Sequence, residues 1–125
     1  IGGRKMKETI VAYVRKRPKP ETTWELPKQH QDRIIEIMYG LDRAGVLHND
    51  VNPLNLMFND DDKLMIIDFG FSILIEDAME QKLGPHPNIN QTLWGINRQL
   101  RLQYKITTPK LKQEYDAYMK ALSSS

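Results

Sequence analysis

The residues best suited to chemistry stand in two short segments: His48-Asn49-Asp50-Val51-Asn52-Pro53-Leu54-Asn55, and Asp68-Phe69-Gly70, which begins thirteen positions after Asn55. Asp50 can accept a hydroxyl proton or orient the hydroxyl. Asn55 can offer its side-chain oxygen to a metal, and Asp68 can bridge magnesium to phosphate oxygens. Moving a phosphoryl group asks little covalent help of a protein, but it needs a divalent cation against the phosphates and an acceptor hydroxyl aimed in line. Hard oxygen ligands meet that need. Taken singly, each Asp or Asn reads as a turn residue bonded to its own backbone. It is the three together that point to chemistry.

Rigid elements must position such a set. Met6, Ile10, Tyr13 and Val14 recur at helical spacing until Pro18 and Pro20, which predicts a helix over about 5–16 and then a linker to about residue 26. Pro27 suits a first helical position, Ile34, Met38 and Leu41 make an apolar stripe, and Gly45 can take the left-handed turn that ends this second helix just before His48. Leu54 to Phe58 and Leu64 to Ile67 flank Asn59-Asp60-Asp61-Asp62 and read as a hairpin. The acidic cluster reads as a solvated turn and is assigned no metal, because it lacks the alternating spacing of a calcium loop. Irregular chain with Gly84, Pro85 and Pro87 leads to Leu93, Ile96, Leu100 and Tyr104, a third helix over about 91–104. Thr108 is expected to cap and Pro109 to open a last helix on Leu111, Tyr115, Tyr118, Met119 and Leu122, with residues 123–125 a disordered tail. The expected fold class is α+β, mainly α-helical, one domain over 1–125 with a short β-hairpin carrying the catalytic and metal-binding loops.

A chain of 125 residues, 40% hydrophobic, suits one small core. It has no cysteine, which excludes disulfides and thiolate metal sites and makes a cytoplasmic location the default expectation. No run approaches the roughly 18 apolar residues of a membrane span, and no signal-peptide pattern stands at the start. A net charge of +2 does not argue for nucleic acid. The basic stretch Arg4, Lys5, Lys7, Arg15, Lys16, Arg17 and Lys19 reads first as a solvated face. Its reading as an RNA- or anion-binding surface ranks last and would predict salt-dependent binding. The chain opens on Ile1, which leads to the expectation of further sequence upstream.

In order and spacing, H-x-D-x-x-x-x-N followed by D-F-G resembles the protein-kinase-like superfamily. The long helix before the loop and the hairpin between the motifs agree with that likeness, which covers about residues 2–104 and places Gly2-Gly3 just after the hinge between lobes. The resemblance implies the C-terminal lobe of a phosphotransferase moving the γ-phosphate of ATP to a hydroxyl on a protein or small molecule. Asp50 and Asn55 would be catalytic, Asn55 and Asp68 would hold Mg2+ and nucleotide, and His48 would pack beneath the loop beside Phe69 without entering the chemistry.

The chain also departs from that pattern. Asn52 stands where serine/threonine kinases carry a lysine, and Asn49 where an arginine receives the activation-loop phosphate. About twenty residues separate Gly70 from the third helix and contain no A-P-E, a shortening similar to aminoglycoside phosphotransferases and compact atypical kinases. Trp94-Gly95 has Asn90 as its nearest upstream stand-in for the family's aspartate. No glycine-rich loop or strand lysine can be placed, and Lys5 and Lys7 fall on a predicted helix after the hinge, so the N-terminal lobe is missing and the chain alone is expected to bind ATP weakly. Two readings follow: an enzyme lobe completed by an N-lobe, or a catalytically inactive lobe acting as a partner-binding or decoy module. Either would expose apolar surface and favour a dimer or hetero-complex.

Overall fold

The computed structural model describes residues 3–17, 19, 22–78, 84 and 86–124. The expectations placed on Ile1, Gly2, Pro18, Pro20, Pro85 and Ser125 lie outside the described residues. In chain order the elements are β1 (Arg4–Lys5), α1 (Met6–Arg15), β2 (Trp24–Glu25), α2 (Lys28–Ala44), β3 (Val46–Leu47), β4 (Leu56–Phe58), β5 (Leu64–Ile66), β6 (Ile73–Leu74), α3 (Arg98–Tyr104), β7 (Ile106–Thr107) and α4 (Pro109–Ser123). Short 3-10 turns occupy Ile75–Ala78 and Pro87–Ile89, and a π-helical stretch, Thr92–Asn97, leads into α3. The fold is α+β and mainly helical. Among the described residues no helix is long and apolar enough to cross a membrane.

The expected stripes form the core. Met6 and Ile10 of α1, Ile34 and Met38 of α2, Leu56 of β4, and Ile96 and Leu100 of the third helical segment are all fully buried. Against them pack Phe58, Leu64, Ile89, Ile106 and Leu111. Met119 departs from its expected place on the apolar face of α4 and is exposed, whereas Leu111 and Tyr118 are buried. Gly45 ends α2 with φ 76° in the left-handed region, and its N–H bonds back to Asp42 O and Leu41 O. Pro27 sits one residue earlier than expected, at the N-cap. The hairpin pairs Leu56 with Ile66 and Phe58 with Leu64, and β1 adds a third antiparallel strand, Arg4 opposite Phe58. Asn59 organises the acidic turn by accepting from the N–H groups of Asp61 (3.0 Å) and Lys63 (2.9 Å) through Oδ1.

Two pairings have no sequence signal. β2 and β7 run parallel, Trp24 beside Ile106, and β3 and β6 pair antiparallel, Val46 opposite Leu74. The basic N-terminal stretch is partly committed to the fold. Arg17 donates to Thr22 O and Tyr104 O, both at 2.5 Å, and Arg4 pairs with Asp62 while lying over the Phe58 ring.

Two further expectations are corrected. Thr108 occupies the N-cap of α4, but its hydroxyl donates to Asn97 Oδ1 and caps nothing. The cap comes from α2: buried Gln31 accepts from the Lys110 N–H at 2.8 Å through Oε1 and donates to Leu26 O at 2.7 Å. The first helical N–H groups need an acceptor from somewhere, and a long side chain reaching across serves as well as a local one. At the other end α4 runs through Ser123, the first residue of the tail expected at 123–125.

Candidate functional site

β3 delivers the chain from the end of α2 into His48, which is fully buried. Its Nδ1 accepts the Asp50 N–H at 3.1 Å, so the proton lies on Nε2, which donates to Ile67 O at 3.0 Å. The ring also meets Phe69 edge-on, centroids 4.9 Å apart. His48 therefore has both nitrogens and its ring edge engaged in holding two loops together.

Both segments are stitched along their length. Ile67 N–H donates to Asn55 O at 2.8 Å, Asn49 Nδ2 to Phe71 O at 3.2 Å, and Ser72 Oγ to His48 O at 3.4 Å. Asn49 has φ 68°, a left-handed conformation that asparagine tolerates better than most residues. The structure thus brings the Asp50–Asn55 loop and the Asp68 loop side by side.

Within the first loop, Asp50 is held by two amides. Asn55 Nδ2 donates to Asp50 Oδ2 and to Asp50 O, each at 2.8 Å, and Asn52 Nδ2 donates to Asp50 Oδ1 at 3.1 Å. Asn52 Oδ1 in turn accepts the Leu54 N–H at 2.8 Å. Asn52, at the position where the resemblance expects a lysine, serves as a neutral clamp on the carboxylate. Asp68 has φ 59°, costly for a residue with a Cβ, and its Oδ1 accepts the Gly70 N–H at 3.2 Å.

Asn88, which the sequence alone did not single out, anchors the loop from below. It is fully buried, and its Oδ1 accepts the His48 N–H at 3.1 Å while its Nδ2 donates to Asp42 Oδ1 and to Val46 O, both at 2.7 Å. Asn90, the upstream stand-in expected for Trp94-Gly95 from the sequence, is exposed, and the buried amide of this segment is Asn88. The 3-10 turn Pro87–Ile89 and the π-stretch depart from regular helical spacing, so this burial could not be read from the periodicity. Asp42 faces His86 Nδ1 at 3.5 Å on its other oxygen. Burial pushes the Asp42 carboxyl above the usual carboxylate range, and the Asn88 bonds and His86 pull the other way. Beside it the Tyr39 ring lies 4.6 Å from His86, and the Tyr39 hydroxyl, donating to Glu114, is pushed up to about 12 by burial and then by that carboxylate.

Above Asp50 the surface opens into a pocket of about 280 Å³, lined among others by Asp50, Asn52, Gln91, Trp94 and Gly95. Gly95 brings the π-helical stretch onto the loop: a Cβ there would lie 1.6 Å from Val51 O. Among the described residues no three His, Asp or Glu side chains gather as a metal site. The hard donors at hand are the Asp68 carboxylate and the Asn55 amide oxygen, a set suited to magnesium, which commonly takes one or two protein oxygens and completes its shell with water and phosphate. No protein-family model matches the chain, and no curated protein matches it.

Proposed function

We propose that this chain is the C-terminal lobe of a protein-kinase-like phosphotransferase, transferring the γ-phosphoryl group of ATP to a hydroxyl acceptor when an N-lobe completes the cleft. The observation that carries this reading is one constellation: Asp50 gripped by Asn55, on a loop stitched through Ile67 and His48 to a left-handed Asp68. In it Asp50 takes or orients the acceptor's proton in the pocket beneath Trp94. Asp68 and the Asn55 oxygen would hold Mg2+, which when bound neutralises charge on the phosphates. With its Nδ2 committed to Asp50, the side-chain oxygen is the Asn55 atom left to ligate a metal.

Titration of the chain with ATP and magnesium by calorimetry, wild type against Asp68→Ala, tests this. Saturable, magnesium-dependent binding that Asp68→Ala abolishes supports it. Absence of binding at millimolar nucleotide moves the assignment to a second reading.

That second reading is a partner-binding lobe without catalysis, and a specific feature favours it. The segment after Asp68 displays Phe69, Phe71, Ile73 and Leu74, each more than 40% exposed, with Phe71 at 69%. Such a run favours burial against another protein chain, whether an N-lobe or a second copy. Sedimentation at micromolar concentration tests it: association that Phe71→Ser weakens is expected, and a clean monomer counts against it.

A further inference from the structure

Trp94 walls two depressions. One is the pocket over Asp50. The other, about 430 Å³ and so within the size range of small-molecule sites, is lined by Trp94, Thr107 and Pro109 together with Arg98, Arg101 and Lys112.

This second cavity collects three cations, and no carboxylate lines it. Arg98 and Arg101 stand three residues apart on α3, on neighbouring positions of one helix face where like charges repel, and Lys112 of α4 adds to them from across the cavity. Lys112 has Asp116 at 2.7 Å. Among the described residues neither arginine has a carboxylate partner, and Arg98 lies instead over Trp94, 5.4 Å from the ring centroid. Trp94 itself is 58% exposed, an uncommon position for the largest aromatic side chain unless something covers it. Both arginines are exposed, so neither is held in place by a role in the core.

An anion would relieve the mutual repulsion, and a guanidinium matches the paired oxygens of a phosphate or carboxylate through two parallel N–H bonds. A ring laid on Trp94 would cover its exposed face. We propose that this cavity binds the oxyanion, phosphate or carboxylate, of a small planar organic molecule, with Arg98, Arg101 and Lys112 on the oxygens and Trp94 against the ring. Because Trp94 is also a wall of the Asp50 pocket, the same molecule is an acceptor class for phosphotransfer: an acidic hydroxy compound anchored by its charge with a hydroxyl toward Asp50. That last clause rests on the phosphotransfer reading, whereas the anion site does not.

The chain has two tryptophans, so Trp24→Phe leaves Trp94 as the sole reporter. Its fluorescence is followed during titration with phenyl phosphate, benzoate and neutral benzyl alcohol, without magnesium or nucleotide. Saturable change with the charged probes is expected, and the tighter of the two identifies the oxyanion. Arg98→Gln combined with Arg101→Gln should weaken binding at least tenfold, and Lys112→Gln alone severalfold, with thermal unfolding unchanged. No saturation, equal affinity for benzyl alcohol, or binding indifferent to the arginine substitutions would overturn the site. The same titration in Asp68→Ala should be unaltered. Anion binding by a wild-type chain that itself binds no magnesium nucleotide would keep the pocket and discard the acceptor assignment.

Discussion

The Asn55 side-chain amide donates to both the carboxylate and the backbone carbonyl of Asp50, each at 2.8 Å. One neutral residue thereby fixes the position of another's carboxylate. Asn55→Asp would set two carboxylates within hydrogen-bond distance, where a proton must be shared. The raised carboxyl pKa in the folded variant means that stability is kept at low pH and lost as pH rises through it. Urea unfolding should show a cost of about 2 kcal/mol or more at pH 7.5, which begins to fall near pH 5 and is largely recovered only below about pH 4, the unfolded carboxyl range.

Gly95 tests how tightly the π-helical stretch is set on the loop. Since a Cβ there meets backbone at 1.6 Å, Gly95→Ala should cost about 3 kcal/mol or more, or prevent folding. Gly40 is the control. It lies inside α2, where a Cβ would find only the Arg43 guanidinium at 3.8 Å, so Gly40→Ala should be neutral or stabilise by up to ~1 kcal/mol. Chemical denaturation of the two variants measures the contrast.

Asn88 and Asn90 offer a second paired comparison. Asn88→Ala strips Asp42 Oδ1 and Val46 O of the Nδ2 donor and the His48 N–H of its acceptor, leaving only the backbone N–H of residue 88 on Asp42, and a loss of about 2–4 kcal/mol is expected in urea melts. Asn90→Ala should change stability by no more than ~0.5 kcal/mol, because that side chain is exposed.

His30 predicts the acid limb of the stability curve. It is buried against Phe58, and burial holds its pKa below the usual 6.5, with Arg4 adding to the depression and Asp62 opposing it. The unfolded chain takes up the proton first, so the contribution is full above pH 6.5 and lost as pH falls through the depressed folded value. Thermal melts from pH 7.5 to pH 5 should show the decline, and His30→Leu should flatten it.

Much of this was legible in the residues themselves. The stripes of α1 and α2, the Gly45 stop and the hairpin around Asn59 all follow from local periodicity and turn chemistry, because the burial they need lies on one face of one element. The loop residues Asp50, Asn55 and Asp68 could be singled out by spacing, and the structure sets their two loops together. Asn88 and Gln31 could not. Their roles are contacts across 40 and 79 positions, and nothing near either residue marks an amide that will be buried. The parallel pairing of Trp24 with Ile106 was hidden for the same reason, since two-residue strands carry no period.

That pairing also bears on how the molecule is made. Trp24 N–H bonds to Lys105 O and Leu26 N–H to Thr107 O, so the ribbon joins segments about 80 residues apart. During synthesis β2 must wait until residues 106–107 have left the ribosome. The hairpin and α2 can assemble early from neighbours in sequence, whereas closure of β2 on β7 carries the greater loop-closure cost and is expected later. Until then Trp24 and Ile106 are both available to other chains, and the nascent protein is at its most vulnerable to aggregation in that interval.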